Sequence, residues 1–283
     1  MPPTDPLSLR PMSLLLSIAQ AAFLLAAVVT AILVLCGMAV NVTDRGRHWE
    51  PSLAEIGAWL REWAAHLVIL PLFPFGMIDR PPRPAPNLGR PQVPVLLVHG
   101  FAMNASCFFP LAWWLQRKGW VWAHSINHRP FSSPIPVFAR NLAGHVEALK
   151  KASGAAQIDI VAHSMGGVVA AYFINQMQGD KDVRRLITVG TPWRGTKMSV
   201  WARRREARDM HPDSPVIADV QAPRVPVVAF YSNTDHLVIP GENALTDGIT
   251  GVLLPNMGHL DMILNPRVWP RIAAALDAPE PRP

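Results

Sequence analysis

Residues 158–167 read IDIVAHSMGG, and this stretch decides the fold. The apolar run 158–162 has the length and β-branched content of a buried parallel strand, and 165–177 reads as a helix that stops near Gly179. Ser164 stands on the turn between them, with Ala162 two residues before it and Gly166 two after. A serine on so tight a strand-to-helix turn has a strained backbone. Its neighbours at minus two and plus two must be small, or strand and helix collide. Ala162 and Gly166 meet that need, and Gly167 lets the helix pack closely.

Working outward, the pattern repeats. Strands are predicted at 93–98, 120–126, 185–189, 225–231 and 251–254, and helices at 106–118, 135–151 and 265–276. Alternating strands and helices predict an α/β fold, a mostly parallel sheet of roughly six strands with helices on both faces. In such sheets the chemistry lies beyond the carboxyl ends of the strands. The informative residues do follow the strands: His99-Gly100 after the first, Ser164 after the third, Asp235 after the fifth and His259 after the sixth.

The IDIVAHSMGG segment, together with LLVHG at 96–100, resembles the bacterial lipases of the α/β-hydrolase fold, and among them the small single-domain lipases without a large cap. The resemblance covers residues 93–276. It implies a serine esterase or lipase, whose triad follows the chain order serine, acid, histidine. Ser164 is then the nucleophile, His259 in the Asn-Met-Gly-His segment the base, and Asp235 the acid, with Asp247 its nearest rival. A serine hydroxyl needs such a base to take its proton, and the acid orients the imidazole and stabilises its cation. The oxyanion donors implied are the backbone N–H groups of Met165 and Phe101. His99, Gly100 and His163 border the expected substrate pocket. GTPWRGT at 190–196 is similar to a GTPHxGT segment of the family, which makes Trp193 a candidate lipid contact, with a packed core tryptophan as the alternative. Residues 197–221 occupy the place of a small lid and carry Arg203, Arg204, Arg205 and Arg208. Larger, calcium-dependent relatives bind the ion through an aspartate placed like Asp261, with Asp213 or Asp219 as its partner here. The closest relatives lack that site, so no metal and no cofactor is expected.

Residues 11–43 hold no Asp, Glu, Lys or Arg, and a span needs about 20 apolar residues. The run exceeds the core of a signal peptide, about 7–15 residues. Residues 1–43 therefore read as an uncleaved transmembrane anchor, with a long cleaved signal sequence as the alternative. Arg10 before the run and Arg45 and Arg47 after it leave the orientation open. A second apolar stretch at 64–78 either lies in the membrane interface, completes a hairpin or packs on the catalytic domain. Residues 79–92, rich in Pro and Arg, read as a stiff linker, so that 44–92 connects the anchor to a hydrolase domain at 93–277 and a Pro-rich tail at 278–283. The expected location is a bacterial inner membrane.

The 283-residue chain is 50% hydrophobic and only 16% charged, and the apolar N-terminus accounts for the scarcity of charge. Its net charge of +6 suits an anionic membrane surface, and no nucleic-acid motif accompanies it. Two cysteines, Cys36 and Cys107, make no disulfide framework. The expected partners are a hydrophobic ester and membrane lipid. The same triad also serves acyltransferases, thioesterases and perhydrolases. A non-catalytic membrane scaffold has no need of all of Ser164, Asp235, His259 and the elbow.

Overall fold

The computed structural model describes residues 10–44, 51–85, 93–201 and 204–279. Arg45, Arg47, Arg203, residues 86–92 of the linker and the last four residues lie outside the described residues. Six strands form one parallel sheet: β1 (Val95–Val98), β2 (Ala123–Ile126), β3 (Ile158–His163), β4 (Val183–Val189), β5 (Val227–Tyr231) and β6 (Thr250–Leu253). Their order is β2-β1-β3-β4-β5-β6, so β3, which carries Ser164 at its end, is central. Every residue of β1 and β3 is buried, because both faces of the sheet are covered.

The helices are α1 (Arg10–Asp44), α2 (Leu53–Ile69), α3 (Phe73–Gly76), α4 (Phe109–Arg117), α5 (Ile135–Ser153), α6 (Met165–Gln176), α7 (Arg205–Arg208), α8 (Pro215–Asp219), α9 (Asp261–Leu264) and α10 (Trp269–Asp277). One apolar core joins α5 and α6 to the sheet through Leu142, Val146, Val168 and Phe173. The other joins α4 and α10 through Leu111, Leu115 and Ile272. Helix α5 ends on Gly154, whose φ of 72° gives the left-handed C-cap that glycine adopts without cost. The short α7 and α8 form the β4–β5 connection, where a small lid is expected from sequence.

Helix α1 is long and apolar enough to cross a membrane, and Phe23–Asp44 within it has a mean hydropathy of 2.8. Its side chains are not equivalent. Ala27, Val34, Met38, Asn41 and Val42 are buried on one face, while Leu24, Leu25, Val28, Val29, Ile32 and Leu33 are exposed. Helix α2 starts in a capping box, Ser52 with Glu55, a signal that hydrophobicity alone passes over. Its buried face is Glu55, Ala58, Glu62, Ala65 and Ile69, at the spacing of one helical stripe. Ala65 and Ile69 share a core with Val95 and Leu97 of β1, while Val68, Phe75, Met77 and Ile78 of the 64–78 stretch are exposed.

Candidate active site

β3 delivers Ser164 onto the turn with φ 55° and ψ −130°, a conformation that non-glycine residues rarely hold. The turn is tied down at its backbone. The Ser164 N–H donates to the carbonyl of Val189 at 2.9 Å, and the Thr191 hydroxyl donates to the Ser164 carbonyl at 3.0 Å. A Cβ added at Gly166 would stand 2.4 Å from the Val98 carbonyl oxygen, so the requirement for a small residue there is real. The loop after β1 presses on the serine from the other side: a Cβ at Gly100 would meet Ser164 Cβ at 2.6 Å. Phe101 follows directly, and Met165 opens α6, where the first N–H groups have no intrahelical acceptor.

Asp235 and His259 come together from the loops after β5 and β6. His259 Nδ1 donates to Asp235 Oδ2 at 2.8 Å, with both residues buried. Asp235 Oδ1 accepts from the Leu237 and Val238 amides at 2.8 and 3.0 Å. Burial alone would raise the Asp235 carboxyl, but the charge and hydrogen bond of His259, with help from His236 and the Val238 amide, hold it below its ordinary value. Burial likewise works against a charged His259, yet the Asp235 charge and hydrogen bond, with Glu62 behind them, raise it above its ordinary value. His259 Nε2 is buried with no partner among the described residues. The rival acid, Asp247, is fully exposed beside Arg194.

The other residues singled out from sequence are placed as follows. His163 is buried, packs against the His259 ring with centroids 4.5 Å apart and planes inclined by 50°, and donates from Nε2 to the His259 carbonyl at 3.1 Å. Burial pushes its pKa down to about 3, so it stays neutral and braces the His259 backbone rather than lining a pocket. His99 is also buried and neutral, lowered to about 4 by burial. Its Nδ1 donates to the Gly100 carbonyl at 2.9 Å and its Nε2 accepts the His128 amide at 3.3 Å, which shapes the Gly100–Phe101 turn from behind. Trp193 is fully buried, with Nε1 donating to Thr188 Oγ1 at 3.2 Å, so of its two readings the structure places the core tryptophan and not the lipid contact. Asp261 is paired with Arg61 at 3.2 Å and accepts from Asn265 at 3.1 Å. A guanidinium beside that carboxylate does not suit a calcium site, and among the described residues no group of three or more His, Cys, Asp or Glu is placed to hold a metal. Sequence reading overlooked Asn41 and Glu62, which reach this site from α1 and α2. For Glu62 a signal existed: a carboxylate on the apolar stripe of an amphipathic helix.

Known proteins share the fold that carries this site. A family model described as a domain of unknown function, DUF7379, matches residues 81–210. The mature Bacillus licheniformis lipase BlEst2 superposes with a TM-score of 0.56 at 17% identity, over 70% of this chain and 96% of that one. A protein encoded by a Listeria innocua gene superposes with a TM-score of 0.52 at 17% identity, over 67% and 96%. Aspergillus fumigatus lipase B gives a TM-score of 0.58 at 17% identity, over 67% of this chain and 54% of the longer fungal one. The fold is that of the α/β hydrolases, with one apolar N-terminal helix added.

Proposed function

We propose that this chain is a serine carboxylic-ester hydrolase, an esterase or lipase, held at a membrane by α1. One observation carries the reading: the buried Asp235–His259 pair at 2.8 Å, with the His259 ring packed at a tilt against the residue that precedes an elbow serine. The neighbours named as lipases and the exposed apolar side of α1 support a hydrophobic ester as substrate.

The chemistry follows from the parts. Ser164 Oγ attacks the ester carbonyl while His259 Nε2 takes its proton. The negative charge that develops on the carbonyl oxygen is met by the N–H groups of Phe101 and Met165. The tetrahedral intermediate collapses, His259 passes the proton to the departing alkoxide, and an alcohol leaves. Water, deprotonated by the same imidazole, then attacks the acyl-serine and releases the acid. Asp235 remains ionised throughout and stabilises the imidazolium. Every proton in this cycle moves through a residue of the chain, and no cofactor is required.

The test is hydrolysis of p-nitrophenyl esters of increasing acyl length by the full chain in detergent, beside Ser164→Ala, with a fluorophosphonate probe. Activity and labelling that both disappear in Ser164→Ala are the expected result, and the length profile sorts esterase from lipase. A folded wild-type protein that neither hydrolyses nor labels overturns the reading.

A further inference from the structure

We infer that Glu62, on a helix outside the sheet, is a positioning residue for His259, fixing with its carboxylate the turn that carries the imidazole. The inference rests on the ester-hydrolase reading above.

Glu62 has no exposure to solvent. A carboxylate so deeply buried is costly unless hydrogen bonds and opposite charge compensate it. Here the compensation is the chain around His259. The Leu260 amide donates to both carboxylate oxygens, at 3.0 and 2.8 Å, and the Asp261 amide donates to Oε2 at 2.8 Å. On the other side of the histidine, Gly258 lies so close that a Cβ there would stand 2.3 Å from Glu62 Oε2. Residues 258, 260 and 261 therefore wrap one carboxylate, and His259 projects from the middle of the wrap. Its ring is held by Asp235 at Nδ1, its carbonyl by His163, and the two amides that follow by Glu62. A base must lie within a fraction of an ångström of its productive position, and a shift of about 1 Å can cost roughly a hundredfold in rate.

The charge matters as well as the shape. His259 faces Asp235, His163 and His236 as well as Glu62. Glu62 itself faces His66 Nδ1 on its own helix at 3.6 Å, His236 Nε2 at 3.8 Å, and the Arg61–Asp261 pair. A second carboxylate behind Asp235 favours the imidazolium that forms when Ser164 is deprotonated. A glutamine keeps the shape but offers one acceptor oxygen for two amides and turns its N–H₂ toward the other.

The experiment uses the full chain in detergent: wild type, Glu62→Gln, Glu62→Asp, and Glu55→Gln as a comparison on the same buried face. Thermal unfolding and fluorophosphonate labelling report folding and the serine; kcat, KM and the acid limb of kcat/KM report His259. In Glu62→Gln, kcat is expected to fall about tenfold or more with KM little changed. Its acid limb should move to lower pH, because removing the negative charge makes His259 harder to protonate. Glu62→Asp should restore the acid limb, and Glu55→Gln should change the melting temperature alone. A folded Glu62→Gln with unchanged kcat and unchanged acid limb overturns the inference. Should Glu62→Gln fail to fold, amide exchange in the wild type decides: protected Leu260 and Asp261 amides support it and freely exchanging ones overturn it. Absence of hydrolysis and labelling in the wild type would instead count against the parent reading.

Discussion

Asn41 of α1 donates from Nδ2 to the main-chain carbonyl of Asp235 at 2.7 Å, across 194 positions of sequence and with both residues buried. A helix apolar enough for a bilayer is thus hydrogen-bonded to the residue that orients His259. The contact is close-packed: a Cβ at Gly37, one turn earlier, would stand 2.3 Å from the His236 carbonyl oxygen. Trp63 of α2 fastens the same helix by donating to the Ala27 carbonyl at 3.0 Å, and Lys197 pairs with Asp44 at its end.

Helix α1 should therefore persist in the mature protein. Gly37 and Asn41 meet the sheet domain, and under the anchor reading the helix ahead of that contact, residues 10–33, is the part proposed to enter the bilayer, with Ala27 still covered by α2. At 1.5 Å per residue these reach about 36 Å, against a hydrocarbon core of about 30 Å. The intact mass of the chain purified from a membrane fraction should match the uncleaved sequence. A mass lacking the first forty or so residues would sink the anchor reading and leave the cleaved signal sequence.

Asn41→Ala removes the donor and leaves the Asp235 carbonyl buried and unpaired. The expected cost is about 1–3 kcal/mol of stability. Urea unfolding in detergent measures it, and a loss below a few tenths of a kcal/mol would show that the contact contributes nothing.

Asp235→Asn should preserve the fold and abolish most of the activity. The amide presents an N–H₂ toward His259 Nδ1 or sacrifices the bonds from Leu237 and Val238, and either way the imidazole loses its tautomer and its counter-charge. A fall in kcat of about 10⁴ is expected, the size seen for this change in a serine protease triad. Retention of more than about a tenth of wild-type kcat would point to another acid.

Ser164→Gly and Ser164→Ala should separate in stability while both are inactive. At φ 55° and ψ −130° a Cβ is strained and glycine is not. Strain of this kind is worth about 1–3 kcal/mol, partly offset by the greater freedom glycine has in the unfolded chain. Ser164→Gly is expected to melt above Ser164→Ala; equal melting temperatures would mean that the elbow stores no strain.

The parts of this site legible in sequence are those whose chemistry demands a local pattern. Ser164 announces itself because Ala162 and Gly166 must be small, and the central strands β1 and β3 are legible because burial on both faces forces apolar runs. The two helices that brace the site are different. Asn41 hides in a run whose apolarity says only that it is a helix, and its partner lies 194 residues away. Glu62 and Asn41 act through backbone groups of Leu260, Asp261 and Asp235, and backbone groups leave no side-chain signature at the receiving end. Trp193 misleads for a related reason: its place in a motif fixes its loop, while burial against Thr188 fixes its side chain.

His99, His163 and His124 are held neutral by burial, at about 4, 3 and 4, below the 6.5 of the unfolded chain. A group depressed on folding contributes stability above its unfolded pKa and loses it as pH falls toward the folded value. Between pH 6.5 and about 4 the unfolded chain therefore binds more protons, and each of these histidines removes about 1.4 kcal/mol per pH unit. His259, raised on folding, works the other way: its contribution is complete below pH 6.5 and fades as pH rises through its folded value. Burial lowers His128, His145 and His236 as well, and one raised histidine cannot balance six depressed ones, so the melting temperature should fall steeply from pH 6.5 to 4. Removing His163 by His163→Gln should flatten that slope by about one proton, at the cost of the bond to the His259 carbonyl. A melting temperature that stays level across this window would mean that these histidines titrate freely in the folded protein.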